Sequence, residues 1–284
     1  MFDVLGMASF MKSYEEDLRD LVALKEAIYS EKPDFVFHLG AQAIVSKSYE
    51  DPIETVSTNV MGIANLMEAL RHVDWPLTAI LITSDKSYEN VEWVWGYRET
   101  DQLGGKDIYS GSKGAADVLA KSFFQSFFWD HPYVKCAVAR AGNVIGGGDW
   151  ARDRIVVDAV TAWAQSSSVK VRCPSATRPW QHVLEPLSGY LSLGEQLNKK
   201  SECNGEAFNF GPTTVRNYTV LELLDFLDAS WSLPRSVKPY EVIDTVPFNE
   251  ASLLKLNCDK ALFLMDWEAT LEYEETVKMT AEWY

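Results

Sequence analysis

Residues 77–90 read LTAILITSDKSYEN. From Leu77 to Thr83 the chain is an apolar run of the length expected for a strand buried on both faces. It then breaks into Ser84, Asp85 and Lys86. Polar and charged groups at the carboxyl end of a buried strand are costly unless partnered or put to use. Taken alone, the break is equally a turn with a solvated Asp and Lys. Two similar runs flank this one, FVFHL at 35–39 and VKCAVAR at 134–140. Between the first two, Asp51-Pro52-Ile53-Glu54 reads as a helix start, with Asp51 as N-cap, Pro52 in the first turn and Glu54 closing a capping box. That helix continues with Val56, Val60, Ile63, Leu66, Met67 and Leu70 as its apolar stripe, and a second helix covers about 108–129. Strand–helix–strand–helix–strand with short joins predicts an α/β fold: a Rossmann-like, doubly wound parallel sheet.

After Gly148 the texture changes. Helices near 153–166, 186–198 and 219–231 alternate with short strands around 169–172, 180–184 and 207–210. The reading is a first domain over 1–148 and a smaller α+β substrate-binding region over 149–284, with parts near 180–198 packing back on the sheet. Ligands of such sheets bind beyond the carboxyl ends of the strands, which points to the residues just after 39, 83 and 140.

Bulk composition narrows the chemistry. With 284 residues and 47% hydrophobic content the chain can bury a large core, and its 12% aromatic residues, ten of them Trp, exclude a disordered tail. A net charge of −15 argues against a nucleic-acid partner. Anionic small molecules must then be held by a few placed cations. The four cysteines, Cys136, Cys173, Cys203 and Cys258, form no C-x-x-C pair, so no metal site or disulfide framework is expected, and a reducing, cytoplasmic setting is the simplest reading. No apolar run has the roughly 18 residues of a membrane span, and no signal peptide is visible.

Three further segments carry chemistry. In Tyr109-Ser110-Gly111-Ser112-Lys113 the first and last residues share one helical face, so the ammonium can lie beside the phenol. A free phenol, with a pKa of about 10, is no base at neutral pH; a neighbouring cation favours the phenolate. Chance supplies such pairs, but this one opens the helix after the strand that carries Asp85. Gly146-Gly147-Gly148 permits close backbone approach and offers N–H groups to an anion, or is simply a flexible turn. Arg178, beside the rigid Pro179, can fork onto a diphosphate or pair with a surface carboxylate. His38 and His182 read as core histidines before ligands.

Taken in order, HLGAQ (38–42), TNVMG (58–62), TSDKSYEN (83–90), WGYRETD (95–101), YSGSKG (109–114), ARAGNVIGGGDWARDRIV (139–156), RPWQHVLEPLSGYL (178–191) and NFGP (209–212) resemble the extended short-chain dehydrogenase/reductases of the NAD-dependent epimerase/dehydratase group. Within these, the wording is most similar to the CDP-glucose 4,6-dehydratases. The resemblance implies dehydration of CDP-glucose to CDP-4-keto-6-deoxyglucose, with NAD taking and returning one hydride, in a homodimer paired through the helices near 52–72 and 108–129. It implies catalytic roles for Ser84, Asp85, Lys86, Tyr109 and Lys113: Tyr109 as base toward the sugar 4-hydroxyl, Ser84 on the 4-oxygen and Asp85 as acid toward the 6-hydroxyl. Lys86 stands where many dTDP-sugar dehydratases carry Glu, and either takes the C5 proton as an amine or stabilises the enolate as an ammonium. For NAD it implicates Asp17, Leu18, Leu39, Gly40, Ala41 and Thr58 together with Tyr109 and Lys113; for the CDP diphosphate, Asn143 and Arg178.

The chain departs from the family at three places. Gly40 replaces a usual Ala, and Asp266-Trp267 stands for a closing Gly-Trp. The opening MFDVLGMASFM resembles the segment after the family's second strand and helix, and no G-x-x-G-x-x-G is present. The expectation is therefore an N-terminally shortened sheet, with strand 35–39 unpaired on one side and NAD only partly gripped. A related epimerase or reductase, and a non-catalytic remnant that folds but binds NAD poorly, stay open beside the dehydratase reading.

Overall fold

The computed structural model describes residues 2–213, 216–232, 236–243 and 252–284. The first half alternates as expected: α1 (Leu21–Glu31), β1 (Phe35–His38), α2 (Val45–Glu50), α3 (Pro52–Val56), a π turn (Ser57–Met61), α4 (Gly62–Leu70), β2 (Leu77–Ile82), α5 (Ile108–Phe123) and β3 (Val134–Ala141). The second half runs β4 (Val144–Ile145), α6 (Ile155–Ala164), β5 (Val169–Val171), β6 (Thr177–Arg178), β7 (Gln181–His182), α7 (Leu184–Lys199), β8 (Ala207–Phe210), β9 (Tyr218–Thr219), α8 (Val220–Ser230), β10 (Tyr240–Val242), α9 (Asp259–Met265) and α10 (Tyr273–Trp283).

Strands β1, β2, β3 and β8 form one sheet in that order, every pair parallel. The doubly wound sheet read from the sequence is thus present. The helices α1, α4 and α5 bury Ile28, Leu66, Met67, Leu70 and Ala116 against Leu77, Ala79 and Val134 on one face. On the other, α7 and α9 bring Tyr190, Leu193, Leu197 and Met265 onto Ile80, Ala137, Ala139 and Phe208. A separate core joins α6, α8 and α10 through Val160, Trp163, Leu223, Leu227 and Val277. Strand β1 has β2 as its sole neighbour among the described residues, which matches the expected open edge.

Local details correct three expectations. Asp51 caps α3 by accepting from the Glu54 N–H at 2.9 Å, but the Glu54 carboxylate pairs with Lys47 at 3.0 Å and closes no box. The π turn adds a residue to one helical turn, so the stripe rotates: Ile63, Leu66, Met67 and Leu70 are buried while Val56 is exposed. The glycine run approaches an aromatic ring, since a Cβ on Gly147 would strike the Trp283 indole.

Candidate active site

Two elements meet at the carboxyl ends of β2 and β3. Ser84 caps a short 3-10 turn, Asp85–Ser87; its hydroxyl accepts from the Lys86 N–H at 3.2 Å and donates to Asp85 Oδ1 at 3.0 Å. Helix α5 starts at an Asp107 cap that accepts from the Ser110 N–H at 2.9 Å, which places Tyr109 in its first turn and Lys113 one turn on. Asp85, Tyr109 and Lys113 are all buried, at 2%, 7% and 6% exposure. Asp85 Oδ2 has no hydrogen-bond partner. Among the described residues Lys113 makes no hydrogen bond or ion pair, so the site holds a largely buried lysine and a carboxyl oxygen that lacks a hydrogen-bond partner.

Burial dominates the electrostatics. It raises the Asp85 carboxyl above the ordinary range against the pull of Lys86, Ser84 and Arg178. It pushes Tyr109 up to about 12, with Asp85 adding to the rise and Ser84 and Arg154 opposing it. Lys113 is pushed down to about 8 by burial alone. The chain by itself therefore does not meet the expectation that the ammonium holds the phenol down: desolvation penalises both charges. His38, buried at the end of β1, is driven to about 4 by burial and by Lys113, and stays neutral.

The lysine shift has a measurable consequence. Between about pH 8 and the 10.5 of a free lysine the unfolded chain binds more protons than the folded one, so stability rises with pH across that window. A shift of this size corresponds to roughly 3 kcal/mol. Lys113→Met is expected to be more stable than wild type below about pH 8, with the gap closing as pH rises, when both are unfolded in urea along a pH series. Asp85 acts in the opposite pH direction. Above the 3.8 of a free Asp the unfolded chain ionises while the buried group resists, so stability falls as pH rises from there to the folded value. Asp85→Asn should accordingly raise the unfolding midpoint at neutral pH.

The residues implicated for NAD fall at the end of β1. Leu39 and Gly40 are exposed and Ala41 half-buried. Leu18 packs on this loop: a Cβ on Gly40 would meet Leu18 Cδ1 at 2.5 Å, and the Leu18 carbonyl accepts from Asn65 Nδ2 at 3.0 Å. Asp17 is exposed and ion-paired with Arg19 at 2.5 Å. Thr58 lies half-buried in the π turn. The segments carrying Asn143 and Arg178 run side by side: the Asn143 carbonyl accepts from the Gln181 N–H at 3.0 Å, and a Cβ on Gly142 would meet Pro179 at 2.6 Å.

Several residues escape the sequence reading. Asn59 donates to the Gln42 carbonyl at 3.0 Å and to Ser112 Oγ at 2.9 Å, tying the β1 loop to α5. Arg154 lies near enough to Tyr109 to lower its pKa and is ion-paired with Asp149 at 3.1 Å. Asp117 and Arg140 form a buried pair behind the site, at 2.6 Å. The available signal is a polar residue at an inward position of an apolar helix, at 59 and at 117.

A tyrosine and a lysine one turn apart on a helix, facing the open end of a parallel sheet beside a second lobe, define an extended short-chain dehydrogenase/reductase. The chain belongs to the family described as GDP-mannose 4,6 dehydratase, which it matches over residues 5–280. It is 41% identical over 294 residues to the CDP-glucose 4,6-dehydratase of Salmonella typhimurium, covering 100% of this chain and 79% of that protein. Its fold is shared with the UDP-glucuronic acid 4-epimerase of Bacillus cereus in complex with UDP-glucuronic acid and NAD, with TM-score 0.83, 18% identity and coverage of 99% of this chain and 84% of that one. It is shared also with the dTDP-glucose 4,6-dehydratase of Bacillus anthracis in complex with NAD, with TM-score 0.76, 19% identity and coverage of 95% and 78%.

Proposed function

We propose that the chain converts CDP-glucose to CDP-4-keto-6-deoxyglucose and water, using NAD as a hydride carrier that is regenerated in each turnover. The observation that carries this reading is the buried Asp85 carboxyl, raised toward its protonated form and beside Tyr109, with one oxygen free of partners. An epimerase or reductase needs the tyrosine and lysine; an elimination needs an acid as well. The nucleotide and sugar follow from the 41% identical relative.

The residues present fit NAD at its reactive end. Lys113, 6% exposed and with no protein hydrogen bond or ion pair among the described residues, is free to donate to hydroxyl acceptors and would meet the nicotinamide ribose there. Leu39, Gly40 and Ala41 would run along the pyrophosphate, with Thr58 nearby and Asp17 and Leu18 toward the adenine. When bound, NAD would take the C4 hydride and give it back to C6 after the elimination, and its cationic form would favour the Tyr109 phenolate. Tyr109 then takes the proton of the sugar 4-hydroxyl while Ser84 hydrogen-bonds the same oxygen. Once the 4-position is a ketone, the C5 proton is acidic. Lys86 takes it as an amine or stabilises the enolate as an ammonium, and Asp85 gives its proton to the departing 6-hydroxyl. Asn143 and Arg178 hold the diphosphate.

Incubation with CDP-glucose and NAD should yield the alkali-absorbing 4-keto-6-deoxy sugar, and titration calorimetry should show NAD binding. A 4-epimer or a 4-reduced sugar in place of the keto product would replace this reading with its relatives in the family, and no heat with NAD would favour the non-catalytic one. We also infer a homodimer paired through α3, α4 and α5. Ile53 and Val118 on these helices and Met61 in the π turn between α3 and α4, at 76%, 51% and 50% exposure, support it. Sedimentation should give a dimer at micromolar concentration that Val118→Glu splits. Free thiols at all four cysteines agree with a reducing, cytoplasmic setting.

A further inference from the structure

Behind the site, two buried side chains reach both ends of the turn that carries Ser84 and Asp85. Asp117, on α5 one turn beyond Lys113, accepts from Arg140 Nε at 2.7 Å and Nη2 at 2.6 Å and from Thr83 Oγ1 at 2.9 Å. Thr83 immediately precedes Ser84. Arg140, at the end of β3, donates through Nη1 to Tyr88 Oη at 2.8 Å and to the Glu99 carbonyl at 3.2 Å. Tyr88 immediately follows the turn, its ring lies 4.9 Å from the guanidinium, and its hydroxyl donates to Asn209 Oδ1 at 2.7 Å. Thr83, Tyr88, Asp117, Arg140 and Asn209 are each at most 5% exposed. One ion pair thus grips the residue before the turn, the residue after it, and the helix that presents Tyr109 and Lys113.

We infer that the Asp117–Arg140 pair is a positioning unit that keeps the Ser84–Asp85 arm in register with the Tyr109 arm. This rests on the dehydratase reading, in which proton removal at the 4-hydroxyl and proton delivery at the 6-hydroxyl act on one bound sugar. None of the five residues needs to touch the substrate. A pair that merely stabilised the sheet could be built without the Thr83 and Tyr88 bonds. These two bonds join it to the catalytic turn, while the ion pair itself joins β3 to α5.

Thr83→Val and Tyr88→Phe test this, because each keeps the side-chain volume, leaves the ion pair intact and removes one tie to the turn. Each should lower kcat by about tenfold or more, since small misplacements of reacting groups are costly in rate, with KM for CDP-glucose within about twofold. Thr83→Ser, which keeps the hydroxyl, should restore kcat. Amide hydrogen exchange read by mass spectrometry should quicken at 84–88 in Thr83→Val and Tyr88→Phe and stay unchanged over β3. Unaltered exchange at 84–88 in both variants overturns the positioning role whether or not the wild type turns over CDP-glucose. An inactive wild type with quickened exchange supports the positioning role and counts against the dehydratase reading alone. An active wild type whose two variants keep full kcat overturns the inference as well.

Discussion

Tyr109→Phe is expected to lower kcat by about a thousandfold, within the range of a lost general base, while KM for CDP-glucose and the unfolding midpoint change little. The phenol is buried, so the ring continues to fill its place in the wall of the site. Its ionisation is disfavoured by burial and by Asp85, and losing one neutral hydroxyl costs only about 1 kcal/mol. The variant loses the group proposed to take the proton of the sugar 4-hydroxyl. The pH profile separates this from a structural defect. On the proposed mechanism the base acts as phenolate, so the wild-type kcat should rise with pH along a limb belonging jointly to Tyr109 and its neighbours Lys113 and Asp85. That limb should be absent from Tyr109→Phe. A variant that kept the limb with a reduced plateau would move the base to another residue.

Fold and site are legible in the sequence to different depths, and the reason is range. Buried parallel strands are apolar along their whole length, so 35–38, 77–82 and 134–141 stand out within a residue at each end. The polar break after Thr83 and the Tyr109–Lys113 spacing are local patterns and can be read directly. The bonds that organise them are not local. Asp117 meets Arg140 23 residues away, and Asn59 meets Ser112 53 residues away. A lone polar residue on a helix does not announce such a partner. The Asp51 N–H that Glu54 would take in a capping box donates instead to the Lys47 carbonyl, and the Glu54 carboxylate pairs with the Lys47 ammonium of the preceding helix. Gly147 shows the same limit, because its missing Cβ suits an anion or an indole equally until the chain end folds back. The Tyr109 phenol departs from its expectation for another reason. Spacing shows that a cation is near but not how dry the site is, and in a dry site burial outweighs that neighbour.

The largest stability effect should come from the buried pair. Arg140 is 3% exposed and uses all three guanidinium nitrogens, on Asp117, Tyr88 and Glu99. Arg140→Met fills much of the same volume but strands the Asp117 carboxylate in the interior with only Thr83 as donor. Breaking a buried ion pair from one side costs about 3–5 kcal/mol, a large share of the roughly 5–15 kcal/mol that holds a domain together. Asp117→Leu should cost a similar amount by stranding the guanidinium. Combining the two removes both charges, and the double variant should regain most of that loss, because an apolar pair of similar volume avoids the desolvation that the ion pair must offset. Urea unfolding of the four proteins reads this as a double-mutant cycle with a coupling of several kcal/mol; additive losses would show that the two charges do not depend on one another. The recovered fold should nevertheless remain slow. Its Thr83 and Tyr88 hydroxyls have lost Asp117 and Arg140, so stability returns without the bonds that align Ser84 and Asp85 with Tyr109. A double variant that is stable but slow would separate holding the sheet, which an apolar pair does, from aligning the turn, which needs the polar one.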